Sequence, residues 1–119
     1  MSVDIVAVEE RVWSGSASLV TAQTTEGEIG VMPGHEPLLG QLVEGGIVTV
    51  KAADGERLVM AVHGGFLSVT GTTVTVLAEA ADRVEDIDVE AAQSALADND
   101  RDASELAAAR GRLRAVERA

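Results

Sequence analysis

Apolar side chains recur at every second position through most of the first 80 residues. Val3, Ile5 and Ala7 alternate with Asp4, Val6 and Val8. Two apolar runs, 47–50 and 58–62, flank Ala53-Asp54-Gly55, and Val69 and Val74 flank Thr70-Gly71-Thr72-Thr73. A period of two marks a strand with one buried face, and Gly/Asp/Thr clusters between such runs mark hairpin turns. The pattern predicts short, β-branched-rich strands of an antiparallel sandwich or barrel over residues 1–83. Residues 58–62 are apolar on both alternations, which suits a strand lying between two packed layers.

Near Arg83 the period changes. From Val84 onward the chain has no aromatic residue, no proline and a single glycine, and it is rich in alanine, which is helical material. Asp88 is placed to cap a first helix running to about Ala97, and Asn99-Asp100 marks a turn. Asp102, with Glu105 three residues on, forms a capping-box-like start to a second helix. Leu106, Ala109, Leu113 and Val116 then form an apolar stripe. A helical hairpin over 84–119 follows. Helices shorter than about 12 to 15 residues are marginal alone, and Gly111 inside the second costs about 1 kcal/mol relative to alanine. The hairpin therefore needs a surface to dock on.

Between these regimes the segment 25–42 concentrates four glycines and two prolines among Ile29, Val31, Met32, Leu38, Leu39 and Leu42. Glycine supplies backbone conformations closed to other residues, proline fixes φ, and the apolar residues anchor the segment to a core. Such a loop is shaped. It reads either as a tight strand connection or as a rigid surface offered to a partner.

Charge narrows the choice of partner. Nine bases against twenty acids give a net charge of −11, which opposes binding to nucleic acid and to anionic headgroups. The last 19 residues are the exception, with five arginines and three acids. This basic arm reads as a solvated helix face, or as one that meets acids on a partner or on this same chain. The absence of cysteine removes disulfides and thiolate metal sites. The amino terminus lacks a basic region followed by an apolar stretch, so no secretory signal is expected, and no apolar run approaches the roughly 20 residues of a membrane span. Two histidines and no tyrosine make a thin supply of nucleophiles and bases, and phosphate-loop, GxSxG and HExxH motifs are missing. Neither independent catalysis, nor a cofactor, nor a metal is expected.

The run Glu26-Gly27-Glu28-Ile29-Gly30-Val31-Met32-Pro33-Gly34-His35-Glu36-Pro37-Leu38-Leu39 resembles the signature of the epsilon subunit of bacterial F-type ATP synthases, called delta in mitochondria. Gly64-Gly65-Phe66-Leu67-Ser68-Val69, then Val74-Thr75-Val76-Leu77-Ala78-Glu79 followed by Asp86-Ile87-Asp88, agree with that family in order and spacing. The resemblance implies a ten-stranded β-sandwich followed by a helical hairpin. It implies a non-catalytic central-stalk subunit that links gamma to the c-ring, couples proton flow to ATP synthesis and suppresses ATP hydrolysis. It also implies a place on the cytoplasmic face of the plasma membrane, held there through the complex, with the alpha and beta subunits of the catalytic head as further partners. The alternative is a free-standing β-sandwich recognition module that binds a peptide or small ligand. Trp13 and Phe66 are its only aromatic anchors.

Carried over by position, Glu28, Gly30, Met32, Pro33, Gly34 and His35 become c-ring contact candidates. Asp88, Arg110 and Arg114 become regulatory candidates on the hairpin. Some family members bind ATP there through an Ile/Leu-Asp-x-x-Arg-Ala motif. Here the arginine position holds Ala91 and the run reads Ile87-Asp88-Val89-Glu90-Ala91-Ala92, so tight ATP binding is not expected. Glu36 replaces a common alanine, Ser68 a common glutamate, and the second helix is shorter than the family's usual one.

Overall fold

A computed structural model describes residues 1–8, 10–98 and 100–118. Asn99, which the sequence assigns to a turn, lies outside them. In chain order the elements are β1 (Ser2–Ala7), β2 (Arg11–Thr24), β3 (Gly27–Val31), β4 (Leu38–Gln41), β5 (Glu44–Ala52), β6 (Arg57–Val69), β7 (Thr73–Arg83), a 3-10 turn (Val84–Asp86), α1 (Val89–Ala97) and α2 (Ala103–Arg118). Both hairpin turns fall where the sequence places them. Gly55 has φ +92 between β5 and β6, and the Thr70 amide donates to the Thr73 carbonyl between β6 and β7.

Seven strands appear among the described residues, against the ten implied by the resemblance, because three of them serve two layers. Residues 11–16 of β2 pair with β1, whereas residues 17–24 lie between β3 and β5. The first half of β6 pairs with β5 and its second half with β4. β7 follows β6 through both layers and meets β1 only over 73–78. Each layer thus holds five strand segments. β2 changes layer at a register irregularity between Ala17 and Leu19, and β6 at Gly64-Gly65. A side chain at Gly65, whose φ is +111, would collide with the Leu77 carbonyl. All pairings but one are antiparallel; β1 and β7 run parallel.

The pairings β1-β7-β6-β5-β2 close through β1–β2. β3 and β4 are edge strands, and both are short, which limits unwanted strand pairing there. The interior between the layers is filled by Ile5, Val20, Val48, Val50, Met60, Val62, Leu67 and Val76, among others. The other alternation of β5 and β6, with Ile47, Val59 and Ala61, faces outward and is buried beneath Ala115 of α2 with help from Val84 and Ile87. That is why residues 58–62 are apolar on both faces. The hairpin forms a third layer.

The stripe read on the second helix is only partly the docking face. Ala109 is buried, but Leu106, Leu113 and Val116 are half-exposed, and the other buried positions of α2 are Gly111 and Ala115. Close approach to the sheet selects small side chains, so the large ones lie to the sides.

Candidate functional site

The segment after β3 is a built turn. The His35 amide donates to the Met32 carbonyl at 3.1 Å. Pro33 and Gly34, with φ +86 at Gly34, occupy the two central positions, as a type II turn requires. No atom crowds a side chain at Gly34, so its glycine answers to backbone conformation alone. His35 Nδ1 lies 2.6 Å from the Glu36 carbonyl and donates to it, so its imidazole braces the loop. Met32 at the tip is 64% exposed.

The six ring-contact candidates do not form one cluster. Residues 32–35 lie together in the turn, with Gly30 on the adjoining strand opposite Thr21. Glu28 stands toward the other end of β3, roughly 13 Å of strand from Met32 at about 3.3 Å per residue. There Arg118 of α2 binds it, Nη1 to Oε1 at 3.2 Å.

The hairpin candidates also separate. Asp88 is the N-cap of α1, and its Oδ1 accepts from the Ala91 amide at 3.1 Å. Arg114 donates to the Gly45 carbonyl at 2.8 Å. Arg110 is exposed and forms no ion pair among the described residues; with Leu96, Ala107, Leu113 and Arg114 it lines an open groove of about 460 Å³. Asp102 caps α2 through the Glu105 amide at 2.8 Å, while the Glu105 carboxylate takes Arg101.

Apart from Arg114 and Gly111, the residues that fix the hairpin are ones the sequence did not single out. Arg112 Nε donates to Asp82 Oδ2 at 2.7 Å, and His63 Nε2 donates to the same oxygen at 2.8 Å. The His63 hydrogen bond, then Arg112, holds Asp82 down to about 2 against the opposing effect of burial. His63 is nearly buried, and its Nδ1 has no partner among the described residues. Beside this clasp, Gly45 and Gly111 meet backbone to backbone: a Cβ on Gly111 would strike Gly45, and one on Gly45 the Ala107 carbonyl. Ser104 donates to Glu44 at 3.0 Å, and Arg57 to the Arg118 carbonyl at 3.0 Å. The basic arm therefore meets acids of this same chain. Residues so distant in sequence carry no local signal; only the unexpected glycine inside a helix hinted at a close approach.

Opposite the hairpin, the outer face of the other layer is uncovered. Val6 pairs with Leu77, Leu77 with Phe66 and Phe66 with Gln41, making an outward row across β1, β7, β6 and β4. Phe66, Leu77, Val8 and Leu39 are large and exposed there. A concavity of about 950 Å³ beside them has Glu44 and Glu79 in its lining and no lysine or arginine.

Known proteins resemble this chain closely. The profile of the family described as "ATP synthase, Delta/Epsilon chain, beta-sandwich domain" matches residues 1–84. The ATP synthase epsilon chain of Rhodococcus erythropolis is 69% identical over 119 residues, covering 100% of this chain and 98% of that protein. The corresponding chain of Nocardia farcinica is 62% identical, covering 98% and 90%. In fold, the chain superposes on one in the Euglena gracilis mitochondrial ATP synthase (OSCP/F1/c-ring) with a TM-score of 0.69 and 24% identity, covering 98% and 78%. Against a chain of the Tetrahymena thermophila mitochondrial ATP synthase central stalk and c-ring, the TM-score is 0.61 at 17% identity, covering 98% and 91%.

Proposed function

Because the chain belongs to the ATP synthase delta/epsilon family, we propose that it is a non-catalytic subunit of the rotor, bridging the gamma shaft and the c-ring and passing torque between them. Residues 32–35 meet the polar loops of the ring. The apolar strip of Val8, Leu77, Phe66 and Leu39 packs on gamma, whose complementary surface is apolar with a basic rim facing Glu44 and Glu79. The docked hairpin is the resting arrangement of a regulatory arm. Its release, toward the alpha and beta subunits, changes the rate of ATP hydrolysis. Attachment to the cytoplasmic face of the membrane runs through the complex, and no helix among the described residues is long and apolar enough to cross it.

What carries this reading is that two surfaces suited to partners, the braced turn and the uncovered strip, belong to one closed sandwich of hydrogen-bonded strands. A body that transmits torque needs such stiffness. The test is affinity purification of the tagged chain from gently solubilised membranes, with ATPase activity assayed. Recovery of gamma, the head subunits and the ring is expected; recovery of the chain alone, from the soluble fraction only, would overturn the reading.

A further inference from the structure

We propose that Glu28 is shared between the hairpin and the ring, so that docking of α2 and engagement of the ring at β3 oppose each other. This rests on the reading of the β3–β4 region as the ring-facing foot. Glu28 pairs with Gln23 on β2, which neighbours β5, and its carboxylate is on the outer face of the layer that α2 covers. The last turn of α2 is seated over that face: Ala115 is buried with Ile47, Val59 and Ala61, the Arg118 carbonyl accepts from Arg57, and the Arg118 guanidinium holds Glu28.

A basic ring loop approaching Glu28 meets two obstacles. One is the helix turn itself. The other is a guanidinium already on the carboxylate, which repels a second cation. Contact with the ring at Glu28 therefore requires the end of α2 to lift, and by reciprocity of linked equilibria the ring loosens the hairpin as much as the hairpin weakens ring binding. The pair is exposed, so the coupling is modest, up to about five-fold, as such ion pairs allow. It tunes the arm where it meets the load, while the Asp82 clasp and the Gly45–Gly111 contact hold the rest.

The experiment uses the full chain and purified, detergent-solubilised c-ring, with ring affinity and amide exchange as readouts. Arg118→Gln should raise ring affinity about two- to five-fold by freeing Glu28. Glu28→Gln should lower it, although both variants speed exchange in the last turn of α2. Adding ring should speed that exchange in the unmodified chain and not in Glu28→Gln. If Arg118→Gln leaves affinity unchanged while Glu28→Gln lowers it, the competition is wrong and the foot stands. If neither variant nor Met32→Asp alters affinity, the ring-facing reading of this region fails and the competition with it.

Discussion

Gly111 of α2 and Gly45 of β5 touch backbone to backbone: Gly45 leaves no room for a side chain on Gly111, and the Ala107 carbonyl leaves none on Gly45. An interior glycine lowers helix propensity by about 1 kcal/mol. Here it lets the helix come within reach of the sheet, so that Arg114 can bond the Gly45 carbonyl and Arg112 can reach Asp82.

Gly111→Val therefore undocks the hairpin without unfolding the sandwich. Amide exchange in α2 should accelerate at least about ten-fold, equivalent to about 1.4 kcal/mol, while the β6 and β7 amides keep their protection. Unchanged α2 protection would mean that the glycine contact is dispensable. Gly111→Ala offers a finer comparison, since it improves the isolated helix and still collides with Gly45.

Acid should loosen the same interface. Asp82 titrates at about 2 in the folded chain against 3.8 when free, so its stabilising effect is complete above about pH 4 and is lost as pH falls from there through about 2. For a carboxylate one-third exposed, the effect is on the order of 1 to 2 kcal/mol. Hairpin protection followed from pH 5 to 2 should fall across this window. Asp82→Asn should flatten the curve and start from faster α2 exchange at neutral pH.

Removing residues 84–119 uncovers Ile47, Val59 and Ala61, which the hairpin buries. The truncated sandwich should fold and assemble with its partners, change the rate of ATP hydrolysis by the complex, and show raised dye binding and self-association when isolated. A truncated chain that cannot assemble would assign the hairpin a structural duty.

Titration calorimetry of the full chain with ATP should give no saturable binding at submillimolar concentrations. Ala91 brings no guanidinium, Asp88 is engaged in capping, and Arg114 is committed to Gly45. Tight binding would require the hairpin to rearrange around a site that the docked arrangement does not display.

The fold was legible wherever the signal is local. Alternation located β1, β5, β6 and the first part of β7, turn residues located two hairpins, and Asp88 and Asp102 announced the helix starts. What could not be read is where a continuous strand passes from one layer to the other: the inward positions slip by one at the change, from 58, 60 and 62 to 67 and 69 in β6 and from 17 to 20 and 22 in β2, and only a bulge and Gly64-Gly65 mark it. The clasp was equally hidden. His63, Asp82 and Arg112 lie far apart in sequence, and nothing in any one of them names the other two. The resemblance carries Glu28 and residues 32–35 over as ring-contact candidates, but their separation along β3 and the attachment of Glu28 to Arg118 appear only in three dimensions.

The strands that cross between layers also decide how the molecule bears force. The turn at 32–35 is tied on one side to β3, which hydrogen-bonds to β2, and on the other to β4, which hydrogen-bonds to β6. Both of those neighbours continue unbroken into the opposite layer. A sideways pull on the turn is thus divided at once between two strands and carried into each layer along covalent backbone, so the sandwich cannot yield by one sheet sliding over the other.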